Sequence, residues 1–102
     1  MESEIGRKDD QEKPEMDLLP PEFLEQTAQV LTIGAKRYGR FNWKHVERHR
    51  YIAALLRHIC ADMKDPGGAD KDDGLPHMAH VAANAAIIIG LDALAKRNKK
   101  AP

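Results

Sequence analysis

The chain has 102 residues, with sixteen acidic and sixteen basic side chains, a formal net charge of zero and a single cysteine. That length holds one domain. Balanced charge speaks against a duplex nucleic-acid binder, and a lone Cys60 excludes an intramolecular disulfide and fits a reducing cytoplasm. Met1 leads into acidic residues rather than a basic and then apolar run, and the most apolar stretch, Val81 to Leu91, is too short to span a bilayer. A cytoplasmic protein without a secretory leader or membrane partner is therefore expected.

Residues 1–17 carry seven acids, three bases and almost no apolar side chains. Such a segment cannot bury enough surface to offset its ordering entropy and reads as a flexible acidic arm. Leu18-Leu19-Pro20-Pro21 then gives an extended entry with proline at a favoured first helical turn. Apolar positions from Phe23 to Tyr38 recur at helical spacing, and Gly39 is a natural stop, so the first helix is expected over about residues 21–38. A turn containing Phe41, Asn42 and Trp43 follows. The second helix is expected from about His49 to Met63, ended by Lys64-Asp65-Pro66-Gly67-Gly68.

The loop to Leu75 contains Asp70, Asp72, Asp73 and Gly74. Pro76 opens a third helix running to about Lys96, after which residues 98–102 form a basic tail. The middle of this helix is apolar on nearly every face, the pattern of a helix buried on all sides. Two other helices cannot surround it. The expected fold is therefore an all-α, small bundle of three main helices over residues 18–97, completed by homo-oligomerisation through the third helix.

Charge is unevenly spread. From Lys36 to Arg57 there are seven Lys or Arg against one Glu, and from Asp62 to Asp73 five Asp against two Lys. A basic stretch followed by an acidic loop suits an anionic ligand with a divalent cation, although two offsetting solvated surfaces give the same pattern. His77 and His80, three apart, project from one helix face, and His58 lies four residues before Asp62 on the second helix. Imidazoles and carboxylates on facing helices build metal sites in bundles, and the same spacing also suits hydrogen-bonded core histidines. Mn²⁺ or Mg²⁺ suits a phosphate substrate, while three imidazoles tilt the choice towards Mn, Co, Ni or Zn. Lys36, Arg37, Arg40, Lys44, Arg48 and Arg50 can hold phosphate, and Tyr38, Phe41, Trp43 and Tyr51 between them can stack on a base or belong to the core. Glu22 and Glu25 have cation-binding spacing and also suit the first turn of a helix.

These residues fall in blocks: K-x-D-x-x-K-P at Lys8 to Pro14, L-L-P-P at Leu18 to Pro21, G-A-K-R-Y-G at Gly34 to Gly39 and N-W at Asn42-Trp43. R-Y-x-A-A-L-L-R-H follows at Arg50 to His58, and D-x-D-x-G-L-P-H-x-A-H-x-A-x-N at Asp70 to Asn84. In joint order and spacing the sequence resembles a phage family of dATP/dGTP diphosphohydrolase N-terminal domains, similar in style to the all-α MazG-type pyrophosphohydrolases. The resemblance implies metal-dependent hydrolysis of a purine deoxynucleoside triphosphate to monophosphate and pyrophosphate. It points to His58, Asp70, Asp72, His77, His80 and Asn84 for the metal and phosphate end. For nucleotide contact it points to Lys13, Lys36, Tyr38, Asn42, Trp43, Arg50 and Arg57. The family usually has glycine where Glu12 stands and glutamate where Asp72 stands.

On this reading His58, Asp70, His77 and His80 hold the metal, Asp62 or Asp72 serves as general base, and Arg50 and Arg57 stabilise the leaving pyrophosphate. MazG-type catalysis uses a second acidic pair, E-x-x-D, for which the second helix here offers only Asp62. A phage nucleotide sponge, sequestering a cyclic or modified nucleotide defence signal without catalysis, needs only the basic-aromatic segment and is the competing expectation. A regulatory interaction protein with core histidines is the third.

Overall fold

The computed structural model describes residues 5–100; the first four residues of the acidic arm and the last two of the basic tail lie outside them. Three helices, α1 (Pro21–Tyr38), α2 (Arg48–Lys64) and α3 (His77–Lys100), are joined with two short 3-10 turns, Met16–Leu18 and Asn42–His45. No strand forms among the described residues, and a single antiparallel bridge, Ala69 to Pro76, closes the loop before α3. The fold is all-α, as the periodicity predicts.

Helix α1 begins where expected, because Pro20 is extended and Pro21 sits at the first helical position, where a missing N–H is no loss. It ends at Gly39, whose N–H donates to the Ala35 carbonyl at 2.8 Å. Gly39 has φ 95° and ψ 152°, a region essentially reserved for glycine. Gly39→Ala is expected to cost about 1–3 kcal/mol in chemical denaturation. An unchanged midpoint would show that the junction relaxes without strain.

Helix α2 runs one residue further at each end than the sequence pattern predicts. Helix α3 continues to Lys100, four residues past the expected end. Ala93, Leu94 and Ala95 favour helix, and Lys96, Arg97 and Lys99 suit the negative end of the helix dipole, so nothing stops it at Lys96.

Both α1 and α2 pack on α3, and so does the Asn42–His45 turn. Among the described residues, the buried apolar ones, Ala79, Ala83 and Ile88, all belong to α3. Trp43 docks on the same helix at Gly90, where an added Cβ would lie 2.8 Å from Trp43 Cη2. Arg48, at the start of α2, makes a two-pronged ion pair with Asp92 of α3, at 2.9 and 3.2 Å. About half of each side chain is exposed, so the pair orients α2 more than it stabilises it.

One copy does not enclose α3 on all sides: Ile89 is 69% exposed and Met78 45%. The radius of gyration is 17.7 Å, against about 13 Å for a compact 100-residue domain. The helix is also longer than its apolar middle suggests. Over His77–Lys99 it is long and apolar enough to cross a membrane by length and composition, which corrects the expectation drawn from Val81 to Leu91 alone. Its first turns nevertheless carry His77, His80 and Asn84, and two helices already pack on it.

The described part of the arm, residues 5–17, is exposed along its length. Glu12 adopts φ 69°, a left-handed conformation that glycine takes without penalty, which accounts for the glycine that the resemblance sets there.

Candidate functional site

The loop between α2 and α3 is built by its own aspartates. Asp70 Oδ1 accepts the Asp72 N–H at 2.8 Å, and Asp73 Oδ1 accepts the Leu75 N–H at 2.9 Å. These are local turns that short carboxylate side chains make with backbone two residues on. The Asp70 N–H donates to the Leu75 carbonyl and the His77 N–H to the Gly68 carbonyl, so the loop folds back on itself. The result sets Asp70 and Asp73 beside the first turn of α3, with His58 of α2 opposite.

Three imidazoles meet there. His58 Nδ1 and His77 Nδ1 face each other at 2.9 Å. The His58 and His80 rings stack, with centroids 4.4 Å apart and planes at 10°. His80 Nε2 lies 2.7 Å from Asp73 Oδ2, and both side chains are largely buried, at 15% and 11% exposure. That contact lacks the alignment of a hydrogen bond, so the buried Nε2 is left without a hydrogen-bond partner.

Desolvation, then the neighbouring His80, pulls the His58 imidazole below its usual value, against an opposing pull from Asp70. His58 is therefore neutral near pH 7 and offers a lone pair. Burial alone would raise the Asp70 carboxyl. The Asp72 N–H, His80, the Asp73 N–H and His58 outweigh that and hold it below the usual carboxylate range.

Imidazole nitrogens beside carboxylate oxygens are a donor set for a divalent cation. Two nitrogens bound at right angles to one ion, each at about 2.1 Å, lie about 3.0 Å apart, close to the His58–His77 spacing. The unpartnered His80 Nε2 fits the same purpose. Ligand atoms of His58, Asp70 and His77 lie within 4.8 Å of one another, as do those of Asp70, Asp73 and His80. The four expected metal residues, His58, Asp70, His77 and His80, thus come together.

The two expected general bases do not join them. Asp62 Oδ1 accepts the Gly67 N–H at 3.1 Å and so ties off the end of α2. Asp72 contributes only its backbone to the cluster, and its carboxylate is exposed. Glu22 and Glu25 are exposed on α1 and in neither ligand set. Asp73, which the sequence offered only as one of three loop acids, takes part in the second ligand set. Its signal was its place four residues before His77 and seven before His80, readable only once the loop is known to fold back.

A groove of about 710 Å³ leads from this cluster along the junction of all three helices. Its walls include His58, His80, Asn84, Arg57, Tyr38 and Trp43. A second hollow of about 580 Å³ shares Tyr38, Asn42, Tyr51, Arg57 and Asn84 with it and adds Arg50. Both volumes fall in the range of small-molecule sites. Trp43 takes part in packing and in the groove at once, with one ring edge on Gly90. Lys44 Nζ lies 5.8 Å from the Trp43 ring and 4.6 Å from that of Phe41. The Asn84 amide donates to the His80 carbonyl at 2.8 Å, fixing it one turn from the imidazole. Lys13 and Lys36 line neither hollow and are exposed.

The model of the family described as dATP/dGTP diphosphohydrolase, N-terminal, matches residues 3–101. The chain belongs to this dATP/dGTP diphosphohydrolase N-terminal family. A relative in Salmonella phage PMBT28, named dATP/dGTP diphosphohydrolase, is 37% identical over 86 residues, which cover 84% of this chain and 29% of the relative. This family member therefore spans less than a third of that relative's length. No solved structure matches it.

Proposed function

We propose that this dATP/dGTP diphosphohydrolase N-terminal domain binds a purine deoxynucleoside triphosphate and hydrolyses it to monophosphate and pyrophosphate with a divalent cation, in the cytoplasm of a phage-infected host. The observation that carries this reading is the groove with imidazoles and carboxylates at one end and aromatic and guanidinium groups along its wall. The name of the phage relative supports the same substrate class.

Tyr38 and Trp43 offer faces for the base, and Asn42 a hydrogen-bonding edge. Arg57, common to both hollows, and Arg50 hold phosphate oxygens as planar two-pronged donors. Lys13 and Lys36 supply charge outside the groove. His58, Asp70, His77 and His80 would hold the cation, which when bound screens the triphosphate and acidifies a water. Among the described residues, the Asp72 carboxylate makes no hydrogen bond or ion pair, whereas Asp62 is engaged with Gly67. Asp72 is therefore the freer of the two to take a proton from the attacking water. A second copy seated on the exposed side of α3 would cover Ile89 and Met78 and complete the bundle.

A second reading is favoured by one observation: neither expected general base belongs to the ligand cluster. Binding without turnover, a nucleotide sponge, needs only the groove. Incubation with each of the four dNTPs and Mn²⁺, followed by chromatography, separates the two. Release of dAMP or dGMP with pyrophosphate supports the hydrolase. Intact nucleotide held tightly supports the sponge, and neither turnover nor binding refutes both. Under either, Arg57→Ala is expected to weaken nucleotide binding about tenfold to a hundredfold in calorimetry, the range for a lost charge-assisted hydrogen bond.

A further inference from the structure

We infer that the histidine-aspartate cluster is a two-ion centre in which Asp70 bridges the cations, one held with His58 and His77 and the other with Asp73 and His80. This rests on the reading that the cluster binds a divalent cation at all, and it assigns Asp73 as a ligand.

The ligand atoms do not close into one set. They form two sets of three, each with its atoms within 4.8 Å of one another, and only Asp70 belongs to both. Ligands of a single ion bound at about 2.1 Å can lie no more than about 4.2 Å apart, and among the described residues the five do not all come within even 4.8 Å of one another, so together they exceed one coordination sphere. Each half also has its own close pair. The first is His58 Nδ1 with His77 Nδ1 at 2.9 Å, and the second is His80 Nε2 with Asp73 Oδ2 at 2.7 Å. The second contact brings a buried nitrogen against a carboxylate oxygen without hydrogen-bond geometry, an arrangement that a cation touching both would satisfy.

The two halves are neighbours. His58 belongs to one set and His80 to the other, and their rings lie parallel with centroids 4.4 Å apart. Asp70 is suited to the bridge because a carboxylate has about four lone-pair sites, and the Asp72 and Asp73 N–H groups take no more than two of them. Charge also balances better with two carboxylates in the centre than with one, since two neighbouring divalent ions without carboxylates between them would repel strongly. The chemistry such a pair serves is a polyanion, with adjacent phosphate groups each finding a cation.

The test uses the full chain, stripped of metal and titrated with Mn²⁺ alone, read by equilibrium dialysis and electron paramagnetic resonance. Two ions per chain with a spin-coupled signal are expected for the wild type. Asp73→Asn keeps an oxygen for the Leu75 N–H and so preserves the turn; it should bind one ion with an uncoupled signal. Asp70→Asn likewise keeps an acceptor for the Asp72 N–H and should abolish coupling while weakening both ions. Circular dichroism confirms that each variant is helical. One ion in the wild type, or two in Asp73→Asn, overturns the paired centre and leaves a single-cation site standing. No ion in the wild type overturns that site as well.

Discussion

His77→Ala is expected to lower affinity for Mn²⁺ by at least about a hundredfold and to lower dNTP hydrolysis at least in proportion. The figure is a floor, because loss of a group that only supports a ligand already costs ten- to a hundredfold, and His77 is placed as a ligand itself. Its Nδ1 is within 2.9 Å of His58 Nδ1, so its removal also leaves the His58 nitrogen without its neighbour. Calorimetry with Mn²⁺ and chromatographic assay of pyrophosphate release measure the two losses separately. Should metal affinity survive unchanged, the imidazoles are packing residues, and the hydrolase reading loses its centre.

The second large effect concerns a residue with no side chain. Gly90→Val is expected to destabilise the fold by about 1–3 kcal/mol, the usual penalty of overpacking. Helix propensity alone argues the other way, since replacing an interior glycine by alanine gains up to about 1 kcal/mol. Contact decides the sign. A Cβ at Gly90 would meet Trp43 Cη2 at 2.8 Å and Cζ3 at 3.1 Å, and an indole is rigid. Gly34, also within a helix, would meet nothing within 4 Å, so Gly34→Ala should show the propensity gain undiluted. Trp43 is the only tryptophan. Its fluorescence should therefore shift in Gly90→Val and stay put in Gly34→Ala. Equal behaviour of the two variants would mean that Trp43 is not seated on α3.

What the sequence revealed and what it hid divide along one physical line. Helix ends were legible because Pro20-Pro21, Gly39 and Pro66-Gly67-Gly68 act on the backbone within a few residues of themselves. His77 and His80 were legible as a pair for the same local reason, one turn of one helix. Contacts between elements were not. Arg48 reaches Asp92 across 44 positions, and Trp43 finds Gly90 across a similar span, with no periodicity to announce either. Asp62 looked like a chemical partner of His58 from helical spacing, yet the turn at Gly67 claims its carboxylate. Asp73 looked like one of several loop acids, and only the fold-back of the loop brings it to His80.

The scarcity of buried residues, three alanine and isoleucine positions on one helix among the described residues, has a consequence for how the molecule behaves in the cell. Packing of that extent leaves little reserve in a domain whose whole stability is of order 5–15 kcal/mol. A ligand that bridges α2, α3 and the α1 end of the groove then acts as a structural member. At a hundred times its dissociation constant it adds about 2.7 kcal/mol to the folded state. On the proposed reading, copies filled with nucleotide and cation persist while empty ones open and are degraded, so the lifetime of the protein follows the size of the pool it acts on.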